Sequence, residues 1–159
     1  WPDKLQAARG LGGNKEYRDL RGFSWGDADR ILTFEEDLVN HIENSGDPDT
    51  TYREVLDELY EDDEGLLGLD VGVAGVVLSL SVAGCIPITS CNGGVYGDYH
   101  REHYPLVGFY TRPNVVPVLL KAATEADVSV TSDGVVFVFS DNVNSMVRFA
   151  RSLLRYLGR

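Results

Sequence analysis

An α+β fold is predicted, with three helices followed by a ββαββα order that closes a four-stranded, mainly antiparallel sheet against helices. Three observations predict it. "VSVTSDGVVFVFS" holds two β-rich runs joined by Asp133-Gly134, read as a type I′ hairpin. Val143, Met146, Val147, Ala150, Leu153, Leu154 and Leu157 then keep the i, i+3, i+4, i+7 spacing of an amphipathic helix. Before residue 64, acid-rich segments open on capping signals and carry apolar residues at helical spacing.

The 159 residues, 43% of them hydrophobic, suffice for one domain with one core. Three parts are expected within it: a loop-rich arm over 1–30, a helical region over 31–84 that is acidic to 64, and the ββαββα sheet region over 85–159.

In "TFEEDLVNHIENSG", Thr33 and Glu36 read as a capping box, and Phe34, Leu38, His41 and Ile42 share a face, with His41 a half-buried structural histidine. "GDPDT" breaks the chain. "TYREVLDELYEDDEG" gives a second helix capped by Thr51 and Glu54, with Tyr52, Val55, Leu56 and Leu59 inward. Asp70 is expected to cap a third helix that runs to about Ala83 and stops at Gly84. The alternation in "LSLSV" leaves a strand open there. The uncharged run 71–88 is diluted by glycine, serine and proline and has no basic flank, so it is read as buried core and not as a membrane span.

Strands are expected at 86–90 and 105–111. A helix capped by Asn114 follows, with Pro117 in its first turn and Val116, Leu119, Leu120 and Ala123 facing inward. The last helix starts near Asp141 and ends at Gly158.

Charge is distributed unevenly. Residues 1–64 hold 18 acidic and 7 basic side chains, while 65–159 hold 7 of each, so the whole net charge of −11 belongs to the first part. That field repels phosphate backbones and makes nucleic acid an unfavoured partner. It favours a basic protein, met by Glu54, Asp57, Glu58 and Glu61 of the second helix. Acidic helices that only maintain solubility would look the same. Arg148, Arg151, Arg155 and Arg159 line one side of the last helix, placed to dock on the acidic segment 52–64 or on an acidic partner.

Cys85 and Cys91 bracket "IPITS"; as a strand this separates the thiols by roughly 20 Å, which forbids a disulfide or a shared metal. A reducing cytoplasm is therefore the expected location. Trp1 opens the sequence and Met146 is its only methionine, so an initiating segment is expected to be missing.

The densest chemistry is "ITSCNGGVYGDYHREHY". Cys91 leaves a strand and enters Asn92-Gly93-Gly94, where a sharp turn could aim amide N–H groups outward at an anion or oxyanion. Cys91 would be the nucleophile if a base lowered its pKa, with His100 or His103 as that base and Asp98 or Glu102 orienting the ring. Ser90, Asn92, Tyr96 and Tyr99 would line the ligand site, and Tyr104 and Tyr110 stand nearby. His100 and His103 with Cys91 or Asp98 would give three zinc ligands and an open position. An inert cysteine beside a glycine turn, with surface histidines, is the alternative.

From about 70 to 141, "ITSCNGG", "PLVGFYT", "NVVPVLLKAATEAD" and the hairpin follow one another in an order that resembles the third wybutosine-synthesis protein family of tRNA methyltransferases. Ser90, Cys91 and Gly93 match that family's Ser-Cys-Ser-Gly-Arg type loop, while Gly94 stands in place of its arginine. The resemblance implies an α+β layout, a functional loop, and methyl transfer from S-adenosylmethionine to RNA held by the arginine stripe.

Three readings follow: a small-ligand or catalytic pocket at Ser90–Gly94, an acidic partner-binding protein of the inhibitor, antitoxin or immunity type, and an RNA-modifying enzyme.

Overall fold

The computed structural model describes residues 19–61, 65–97 and 102–158, with the backbone alone at Tyr60 and Glu61. Among these residues the order is α1 (Trp25–Glu43), α2 (Pro48–Glu61), α3 (Ala74–Val82), β1 (Ile86–Cys91), β2 (Leu106–Tyr110), α4 (Val116–Ala126), β3 (Ser129–Ser132), β4 (Val136–Phe139) and α5 (Val143–Leu157). The strands form one antiparallel sheet in the order β1-β2-β4-β3, so the predicted α+β class and element order hold.

The first helix starts earlier than expected. Ser24 accepts from the Asp27 N–H while the Asp27 carboxylate accepts from the Ser24 N–H, closing a capping box nine residues ahead of the one expected at Thr33. Residues 25–30 are therefore helical and do not belong to a loop-rich arm; the expectation for 1–18 lies outside the described residues. The buried face is Ala28, Ile31, Leu32, Glu35, Val39 and Ile42. Phe34 and His41 point outward instead, because the helix presents the stripe that runs through its earlier turns.

Asp47, and not Thr51, caps α2: its carboxylate accepts from the Thr50 N–H and hydroxyl. Tyr52 and Val55 are buried, with Leu56 and Leu59 packed at the margin of the core.

α3 is a helix, but Asp70 does not cap it. A backbone turn over 71–73 precedes it, and its amino end is closed by Glu35 of α1, whose carboxylate accepts from the N–H groups of Gly72, Ala74 and Gly75, each at 2.8 Å. Three orphan donors of a buried helix end are thus satisfied by one side chain from a neighbouring helix. α3 is buried on every side, as its apolar composition requires.

In α4, Val115 takes the cap position and Asn114 is exposed, while Pro117 sits in the first turn as expected. Its inward residues are Leu119, Ala122, Ala123 and Ala126, and Leu120 is exposed. The hairpin closes through three residues, Asp133 to Val135, because Ser132 pairs with Val136; Gly134 has φ 81° while Asp133 stays at negative φ, which excludes type I′.

Asn142 caps α5 by accepting from Ser145 N–H, and Met146, Phe149, Ala150 and Leu153 are fully buried. Met146, Phe149 and Leu153 each contribute about 1.5–3 kcal/mol by that burial. α5 packs on α1, α3 and α4, and the core face of the sheet (Val107, Phe109 and Val138) joins the same cluster. No described helix is long and apolar enough to cross a membrane.

Candidate functional site

β1 ends at Cys91 and the chain turns through Asn92–Gly97 beneath α2. Gly93 has φ 76° and Gly94 φ 66°, a backbone region that favours glycine. At position 93 a Cβ would lie 2.3–2.5 Å from Tyr104 backbone atoms, so the two chain segments meet there with no room for a side chain.

Asn92 is the centre of this turn and fully buried. Its amide nitrogen donates to the Tyr52 hydroxyl at 3.0 Å and to the Val71 carbonyl at 3.3 Å, and its Oδ1 accepts from the Gly94 N–H at 3.1 Å. Its backbone N–H donates to the Asp70 carboxylate at 3.2 Å, which is where Asp70 is used. Tyr96, also buried, stacks at 4.9 Å on Tyr52 and donates to Glu43, which accepts in turn from Asn144 of α5 at 2.5 Å. Burial, with the Glu43 carboxylate beside it, holds the Tyr96 phenol protonated.

The expected outward-facing amides are turned inward. Gly93 N–H donates to the Cys91 sulfur at 3.3 Å, and Gly94 N–H is taken by Asn92. Burial pushes the Cys91 thiol above its ordinary value; the carboxylates of Asp70 and Glu102 push the same way, against the Gly93 N–H. The surroundings of the sulfur therefore oppose thiolate formation instead of promoting it. Ser90 is half-buried, pairing with Val107 across the sheet. His103 is exposed. Asp98, Tyr99 and His100 lie outside the described residues, which hold no group of three or more metal-ligating side chains. Neither cysteine forms a disulfide, and Cys85 donates to the Thr111 hydroxyl at 3.3 Å.

Among the described residues the arginine stripe docks within the chain on α1 and α4. Arg151 pairs with Asp29 and with Glu36 (2.5 Å) and donates to Thr33, all on α1, which passes alongside α5. Arg155 pairs with Glu125 of α4 at 2.6 Å, and Arg148 donates to the Ser145 hydroxyl and the Ala126 carbonyl. Arg159 lies outside the described residues.

On α2 the situation is the reverse. Glu54, Asp57 and Glu58 are exposed, and none of them enters an ion pair among the described residues. They fall at i, i+3 and i+4, one stripe on the side away from Tyr52 and Val55, and Glu61 holds the i+7 position in the sequence. Glu35, a glutamate on a polar-looking helix, is the residue missed by sequence reasoning; the Gly72-x-x-Gly75 spacing at the start of an apolar helix is the signal for an anion seat.

Comparison with protein-family models, with curated proteins and with solved structures finds no match to this chain.

Proposed function

We propose that the protein is a non-enzymatic binding protein whose acidic α2 docks on a basic protein surface. One observation carries this reading: the exposed Glu54, Asp57 and Glu58 of α2 enter no ion pair among the described residues, while carboxylates of α1 and α4 hold Arg30, Arg151 and Arg155. Like charges at i, i+4, here Glu54–Glu58 and Asp57–Glu61, cost a helix about 0.2–0.5 kcal/mol per pair. Arg53 is the only cation in α2 to offset them. A cationic partner removes that repulsion, and the field of the acidic region accelerates its approach. The inward-turned amides at Gly93 and Gly94 support this reading over a pocket at Cys91, because the donors an oxyanion would need are already engaged.

The test measures binding of a fluorescent lysine oligomer to three proteins: wild type, E54Q/D57N/E58Q, and D37N/D127N/D133N, which changes net charge equally at other exposed acids. The α2 variant is expected to bind at least about tenfold more weakly and the control variant within about twofold of wild type. Equal weakening in both variants would reduce the effect to net charge and overturn the proposal.

A further inference from the structure

The sheet has two unlike faces. Val107, Phe109 and Val138 look into the helical core, whereas Thr89, Leu106, Gly108, Phe137 and Phe139 look the other way and stand outside the core cluster. The register places them together, and a Cβ on Gly108 would meet the Phe137 ring at 2.6 Å and the Thr89 methyl at 2.9 Å. Tyr104 lays its ring on Phe139 at 5.7 Å between centroids and is 46% exposed, among the most exposed large apolar side chains described. On this face Leu106 and Gly108 are buried and Phe137 and Phe139 half-buried, and the main helix contacts of the sheet are those of α3 with β1 and of α4 with β3. None of the four strands carries a charged residue, on a chain of net charge −11.

The uncharged platform adjoins the acidic helix. Tyr104 backbone closes on Gly93, and at the far end of the same loop a Cβ on Gly97 would lie 3.0 Å from the Asp49 carboxylate at the start of α2. One short loop therefore carries aromatic surface at one end and acidic surface at the other.

Resting on the reading of α2 given above, we infer that the platform of Tyr104, Phe137 and Phe139 is the anchor site for the same partner, and that this partner is a basic protein segment bearing an aromatic side chain. An interface needs such a desolvated anchor for residence, with charge supplying approach and orientation. A phosphate-bearing ligand would meet repulsion from α2 and no cation on the sheet. A second copy of the chain is disfavoured by size: four strands about 4.8 Å apart and five residues of about 3.3 Å give a face of about 300 Å², against about 800 Å² per partner in a stable complex.

The experiment uses two lysine oligomers of about a dozen residues, long enough to span ~40 Å. One carries a central tryptophan and the other alanine in its place. Wild type is expected to bind the tryptophan peptide about tenfold more tightly. In Y104A, and in Y104A/F139T if circular dichroism shows it folded, that ratio is expected to fall below about twofold with binding of the alanine peptide unchanged; Y104A alone decides the outcome otherwise, its ring being largely exposed. In E54Q/D57N/E58Q both peptides weaken together and the ratio persists. A ratio near one in wild type, or one that survives in Y104A, overturns the anchor site while leaving the acidic helix intact. Salt-insensitive or absent binding of both peptides overturns the reading of α2 and the anchor with it. A concentration-dependent dimer abolished by Y104A assigns the face to a second copy and also overturns the inference.

Discussion

Glu35 and Gly75 are fitted to each other: the carboxylate accepts the Gly75 N–H at 2.8 Å and occupies the space a side chain at residue 75 would need. A Cβ there would meet Glu35 Oε2 at 2.7 Å and Leu32 Cδ1 at 2.6 Å. The junction of α1 with the amino end of α3 is built on that absence.

Gly75→Ala is therefore expected to destabilise the fold by about 1–3 kcal/mol despite alanine's better helix propensity. Urea denaturation checks it, and a stabilised variant would contradict the account of this junction.

The same carboxyl makes stability depend on pH. Burial, outweighing the three amide bonds, raises Glu35 from 4.5 to about 7. A folded-state pKa above the unfolded one means that the contribution is complete below about 4.5 and is lost as pH rises through about 7. The loss is on the order of 3 kcal/mol. Wild type is expected to lose stability relative to Glu35→Gln across that window, followed by denaturation at successive pH values. Parallel pH profiles would contradict the assignment.

Much of this arrangement was readable in the sequence. The α5 stripe, the strand–turn–strand run after Asp127 and the apolar α3 each carried a local signal strong enough to survive packing. Where the structure departs from the sequence pattern, one residue pattern serves two purposes. Thr33 and Glu36 have the spacing of a capping box but lie inside α1, where they hold Arg151. Asp70 looks like a cap and instead receives the Asn92 N–H, while the cap itself comes from Glu35, far away in sequence. At the Cys91 loop the residues were found, but the direction of the amides depends on Asn92 being drawn toward Tyr52 and Val71, a tertiary fact.

Ser79 supplies a separate check on the core. Its hydroxyl is buried in α3 with no hydrogen-bond partner among the described residues. Ser79→Ala removes that unsatisfied group and improves helix propensity, so a gain of about 1 kcal/mol is expected in thermal or urea unfolding. A loss of similar size would show that the hydroxyl is bonded.

At Cys91 the raised thiol pKa predicts slow chemistry. Alkylation by iodoacetamide in a Cys85→Ala background is expected to run slower than that of a free cysteine, with a rate that climbs through pH 9 and shows no inflection below it. An inflection near neutrality would restore Cys91 as a nucleophile and revive a catalytic reading of the loop.

On the function proposed above, α2 gives up some helix stability to keep its carboxylates available to a basic partner. E54Q/D57N/E58Q separates this from a solubility role when urea stability and lysine-oligomer affinity are measured on the same samples. Opposite signs are expected: stability up by a few tenths of a kcal/mol per relieved pair, and affinity down about tenfold. Affinity unchanged within about twofold, whatever happens to stability, would contradict it.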